Sequence, residues 1–368
     1  MRWSRAFPIL LAVGAISLLL SLSLASAQGG FGTVTISDGI ANSDEASISI
    51  PKVADLPANE VYEGWFVSDD WSRSISTGIL AVQDGGVSQT FTIASPEEDG
   101  SLTPLGINLF AFFDKFVVTI EPAEDTDPDP SDKIYLIGTL ADNINEIRQI
   151  NFSNPGSPAY SAGFHAGVPK GAAVGLVEQT GEVSAHAQMA LSSMNAGQTS
   201  EALAHAEIAV NIITGGTSDL DGDGQGANPG DGYGAMTYAS DVAAIAGAVG
   251  VLGEDLAASA MGVNDSLQGI VDTVNQAASA VAAGSDTAAR SFIHSAANQS
   301  MDASSAADGV YMAAQGLGEY TLHIPPEEPS VGDPTVPQMA MASLIAGMVL
   351  LAFGGLVVFR NRRSRTTA

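Results

Sequence analysis

The stretch LAASAMGVNDSLQGIVDTVNQAASAV, residues 256–281, places apolar side chains at Leu256, Ala260, Val263, Leu267, Ile270, Val274, Ala277 and Val281. The spacings alternate between four and three, which is a heptad stripe along one face of a helix. Gly284-Ser285 interrupts the pattern, and Asp286 stands where it can cap a second helix. The stripe resumes at Ala289, Ile293, Ala296, Ser300, Ala303, Ala307, Val310, Ala314 and Leu317. Two stripes joined by a tight turn predict an antiparallel helical hairpin about 45 Å long, and the small seam residues let its backbones approach closely.

Upstream, Tyr238–Leu252 extends or packs on this hairpin, although Gly247, Gly250 and Gly253 weaken it as a helix. Gly181–Met194 and Ser200–Ile213 repeat the three-and-four spacing, with Ser200 as an N-cap. Residues 171–320 therefore read as a helical bundle of four to five helices. A flexible Ala/Ser stalk is the alternative.

The chain before the bundle is of another kind. Thr33–Ile36, Ala46–Ile50, Glu60–Val67, Ser76–Val82, Val87–Ile93, Phe116–Ile120 and Lys133–Ile137 are short, β-branched runs separated by turn residues. Seven such runs over 28–145 predict an antiparallel β-sandwich whose core holds most of the aromatic side chains. Residues 146–170, rich in Gly, Pro, Ser and Asn, read as a linker. The fold class is thus multidomain β plus α: an antiparallel sandwich, an Ala-rich bundle and a C-terminal single-pass transmembrane helix.

Four segments of the β region carry a family likeness. Leu56-Pro57 with Tyr62 and Trp65, then Gly78-Ile79-Leu80, then Phe116-Val117-Val118-Thr119-Ile120-Glu121-Pro122, and last Ile134-Tyr135-Leu136-Ile137-Gly138 follow one another in order. The order resembles the extracytoplasmic domain of anti-sigma-K factors, over residues 31–140. Ala123-Glu124-Asp125 replaces the glycine pair usual after Glu-Pro. The resemblance implies an extracytoplasmic sensory module. The zinc-binding, sigma-binding half of that family has no counterpart in the sequence, and the apolar segment follows the module instead of preceding it. Direct anti-sigma activity is not expected.

The strongest chemical signal is Asp219-Leu220-Asp221-Gly222-Asp223-Gly224-Gln225. Acids at positions one, three and five, with glycine at six, reproduce the opening of a calcium loop, in which alternate side chains converge on one hard cation. Position twelve is Gly230 where an EF-hand has glutamate, and Asp231 comes one residue late. The candidate ligands are Asp219, Asp221, Asp223, Gln225 and Asp231, in an acidic loop over 219–231, with Ca²⁺ as the ion. An unmetallated acidic Gly loop is the alternative.

Two further pairs, Glu182/His186 and Glu201/His205, each place a carboxylate and an imidazole one helical turn apart. On neighbouring antiparallel helices they could meet at a transition metal or, through the histidines, at a b-type haem, although solvated polar faces explain them as well. The spacing differs from the Glu-x-x-His of di-iron bundles. No Gly-x-Ser-x-Gly elbow, His-Glu-x-x-His helix, P-loop or dinucleotide fingerprint occurs, so the chain reads as a non-enzyme.

Both ends point to a membrane. Residues 1–27 combine Arg2 and Arg5, an apolar run and Ala25-Ser26-Ala27, the pattern of a cleaved secretory signal. Pro-rich residues 321–338 read as a spacer, 339–359 as a transmembrane helix inserted in the lipid bilayer, and 360–368 as a basic cytoplasmic tail. A processed C-terminal sorting signal is the alternative for that end.

Six of the 13 Lys and Arg are those terminal arginines, so seven basic residues stand against all 41 acids in between. Such a body repels phosphate backbones, which excludes nucleic acid as a partner. With no cysteine there is no disulfide, thiolate nucleophile or Cys-ligated metal. The reading is a membrane-anchored extracytoplasmic binding or structural protein of the bacterial envelope, whose partner is an envelope protein or surface ligand. An accessory envelope sensor and a metal- or haem-binding redox protein are the alternatives.

Overall fold

The computed structural model describes residues 31–39, 41–92, 108–140, 143–152 and 170–325. The chain divides into a first unit ending at Ile324 and a second beginning at Pro325, and all the elements belong to the first. Residues 1–27, 339–359 and 360–368, with most of the linker and the spacer, lie outside the described residues. Among the described residues no helix is long and apolar enough to cross a membrane.

The β runs form two antiparallel sheets. One has the order β5 (Val82–Gln83), β6 (Gly86–Thr92), β2 (Glu45–Ile50), β1 (Gly32–Ser37) and β9 (Tyr320–Leu322). The other runs β4 (Ser74–Ile79), β3 (Glu60–Val67), β7 (Lys115–Pro122) and β8 (Ile134–Thr139). Strict alternation drives the pairing: Ala46, Ile48 and Ile50 of β2 turn inward while Ser47 and Ser49 turn out. Ile36 and Ile48 from one sheet share a core with Phe66 and Phe116 from the other. The Phe66 ring meets Phe116 edge-on at 4.9 Å and Tyr320 at 5.8 Å, a geometry favoured by the ring quadrupoles. The four segments that carry the family likeness fall on or beside β3, β4, β7 and β8, which together make the four-stranded sheet.

The helices are α1 (Leu109–Phe112), α2 (Ile144–Asn151), α3 (Ala172–Asn195), α4 (Thr199–Thr214), α5 (Ala235–Ala248), α6 (Val251–Ala282) and α7 (Asp286–Gly316). Along α6 the residues from Leu256 to Ala277 named for the stripe are buried, and Val281 packs at its end. Along α7 the stripe from Ala289 to Ala314 is buried in the same core. Gly284 makes the turn with φ +72°, a left-handed conformation that glycine adopts without steric cost.

Several boundaries differ from the sequence reading. Asp286 is the first helical residue and Ser285 the cap position, while α4 starts at Thr199 with Gln198 before it, not at a Ser200 cap. Residues Ile144–Asn151, which straddle the boundary between the segments read as sandwich and linker, form α2, because Ile147 and Ile150 find a core to enter. The larger difference is β9. Tyr320–Leu322, read as the end of the bundle and the start of a spacer, pairs with β1. His323 then exchanges two backbone hydrogen bonds of 2.9 Å with Ile137 of β8. This crossing is why Gly138 is glycine: a Cβ there would lie 2.9 Å from Leu322 Cδ2 and 3.1 Å from the Thr321 carbonyl.

Helices α2 to α7 therefore lie, in chain order, between β8 and β9 of the β layer. Polar contacts tie the parts together. Asp38 Oδ1 accepts from Tyr311 Oη at 2.8 Å and from Gln315 Nε2 at 2.5 Å. Arg148 on α2 donates to the Phe110 carbonyl at 2.7 Å and to Asp114 Oδ1 at 2.8 Å. Burial and the Asp38 charge push the Tyr311 hydroxyl well above the ordinary tyrosine range, so it stays a hydrogen-bond donor.

Candidate metal centre

Helix α4 ends at Gly215, whose φ of +71° turns the chain out into the acidic loop. The loop returns to the same spot: a Cβ on Gly215 would lie 2.9 Å from the Gly232 carbonyl, and one on Gly234 2.7 Å from the Gly215 nitrogen. Only glycine fits at such a crossing. Between these points the loop has no helix or strand, so its backbone hydrogen bonds must go elsewhere.

They go to buried polar residues on α4. Glu207, 3% exposed, accepts from the backbone N–H groups of Leu220 at 2.7 Å, Asp221 at 3.2 Å and Ala227 at 3.2 Å. One turn further along α4, Asn211 is fully buried. It donates to the Ser218 and Ala227 carbonyls and accepts from the Ser218 N–H at 2.7 Å. Asn228 closes the loop from inside, donating to the carbonyls of Asn211 and Gly216 at 3.0 and 2.8 Å. At the tip, Asp219 accepts from Gly222 N at 2.7 Å and Gly224 N at 2.9 Å, Asp221 from Asp223 N, and Asp223 from Gln225 N.

This scaffold brings together Glu207, Asp219 and Asp221, whose carboxylate oxygens lie within 4.8 Å of one another. Oxygen donors from carboxylates suit a hard cation. Among the described residues, no Lys or Arg forms an ion pair with any of the three. The other candidates from the sequence stand apart from this group. Asp223 and Gln225 are exposed at the tip. Asp231 is engaged elsewhere: its Oδ2 accepts from Tyr238 Oη at 2.7 Å and lies 3.8 Å from Lys170 Nζ. Glu207 is the residue that sequence reasoning missed.

The two Glu/His pairs are also placed. Helices α3 and α4 are joined by a short turn, and His186 Nδ1 lies 3.3 Å from His205 Nδ1. Burial and the neighbouring His205 ring lower the His186 pKa, and the Glu182 charge opposes them. Glu182 and Glu201 are exposed, so the histidines meet without the carboxylates completing a cluster.

A groove of ≈ 240 Å³ runs beside Ala54–Leu56, Tyr62 and Ile79–Leu80 on the β layer. It falls below the roughly 300 Å³ at which small-molecule sites begin. Compared with protein families, with curated proteins and with solved structures, the chain matches none.

Proposed function

We propose that the chain is a non-enzymatic binding or structural protein of the bacterial cell envelope, with a body outside the membrane, tethered through residues 339–359 and tied together by calcium. The single observation that supports this best is the carboxylate trio. Glu207, Asp219 and Asp221 converge in a loop whose backbone is already fastened to α4. Like charges at such separations repel, and a divalent cation relieves that repulsion while joining α4 to the loop that leads into α5. The proposed ligands are Asp219 and Asp221, with Glu207 in place of Asp231.

Calorimetric titration of the full-length protein with Ca²⁺ tests the reading. It expects a binding heat that Mg²⁺ does not reproduce and that Asp219→Asn with Asp221→Asn removes. No Ca²⁺ heat in the wild type overturns it. For the tether, membrane fractionation of cells making the full chain expects the protein in the pellet, extractable by detergent and not by high salt.

A second reading, an accessory envelope sensor working with a separate anti-sigma protein, has its own support. The four segments resembling anti-sigma-K ectodomains together build one sheet rather than scattering over the fold. Affinity purification of the full-length protein from its native membrane expects an anti-sigma membrane protein in this case. Its absence leaves the structural reading in place.

A further inference from the structure

We infer that His186 and His205 form a second metal site, distinct from the acidic loop and selective for a divalent transition ion such as Zn²⁺, which clips helix α3 to helix α4. Independently of the calcium reading, the geometry points there. The two Nδ1 atoms are 3.3 Å apart, with ring centroids 5.4 Å apart and planes inclined by 40°. The rings thus meet by their nitrogens and not by stacked faces. Two imidazole nitrogens on one tetrahedral zinc, each about 2.0–2.1 Å from the metal, are themselves roughly 3.3–3.4 Å apart. The nitrogen separation that the ion needs is therefore already present, and the rings have only to turn so that both Nδ1 lone pairs meet on one side of the nitrogen–nitrogen line.

As the protein stands, one ring donates its Nδ1–H to the other. Coordination needs both rings in the Nε2–H tautomer, so one ring moves its proton from Nδ1 to Nε2 and no net proton is released. Both histidines are half-buried, which leaves the open coordination positions to water. Glu182 and Glu201, exposed and each one turn before its histidine, lend negative charge to the cation's approach without completing the ligand set. Nitrogen donors separate this site from the loop: imidazole selects zinc, copper or nickel, whereas an all-oxygen set selects calcium.

The test titrates Zn²⁺ into the full-length protein in buffer already saturated with Ca²⁺, following both binding heat and melting temperature. The expected result is one equivalent of zinc, a rise in melting temperature, and loss of both in His186→Ala and in His205→Ala. Absence of zinc binding by the wild type overturns the inference, as does an unchanged response in either variant. Should a variant fold poorly, nitrogen NMR of the wild-type histidines replaces it. Zinc must then shift the His186 and His205 Nδ1 signals and leave His294, which is partnered with Asn298 on α7, in place. Equal shifts at all three contradict a specific site.

Discussion

Glu207 is a buried carboxylate that accepts three backbone N–H groups from a loop with no secondary structure of its own. Replacing it by alanine leaves those donors to find water, so Glu207→Ala should cost about 1–3 kcal/mol in denaturant unfolding and weaken Ca²⁺ binding as well. Glu319, between α7 and β9, has the opposite character: burial raises its carboxyl pKa. Below the unfolded-state value both forms are protonated and folding costs nothing extra. As pH rises through the raised native value, the native state loses stability relative to the unfolded chain. Glu319→Gln should accordingly raise the melting temperature at neutral pH and leave it unchanged near pH 3, a difference that melts at the two pH values measure directly. At this scale the sequence was half legible. Asp219 and Asp221 announce themselves by alternation, whereas Glu207, set among alanines on α4, looks like any solvated helix residue. The signal that could have found it is Asn211 four residues on, a second polar group on a face otherwise formed by Leu203, Ala206 and Val210.

The long helices were the most readable elements, because a heptad repeat of small residues has one way to bury itself. Their close approach is also their weakness. Ala303, 1% exposed in the seam of α7, has no room for a larger side chain, so Ala303→Leu should destabilise by about 1–3 kcal/mol, read from the denaturation midpoint. The strands of the β layer were nearly as clear, since alternation and turn residues bound them. Strand β9 was not, for a physical reason. Three residues are too few to show a period, and the edge they pair with, β1, lies at the other end of the chain. Tyr320 nonetheless sits fully buried against Phe66 and donates to the Phe113 carbonyl at 3.2 Å. Tyr320→Ala should cost about 3–5 kcal/mol, a loss in keeping with a core position and far beyond what a spacer residue would give.

Over the whole molecule, the return of the chain into β9 makes the helices an insertion between strands of the β layer. Asp38 and Arg148 fasten the two together. Composition made the anionic character of the chain plain, with 41 acids against 13 basic residues, yet it could not say which acids, among the described residues, would be gathered on a scaffold. A cation bound only by the folded state stabilises everything that unfolds with the loop, by an amount that grows with its concentration. The most direct measurement is scanning calorimetry of the full-length protein in chelator and at rising Ca²⁺. The account predicts a main transition that moves upward with calcium and stops moving in Asp219→Asn/Asp221→Asn; a transition at the same temperature with and without calcium would contradict it.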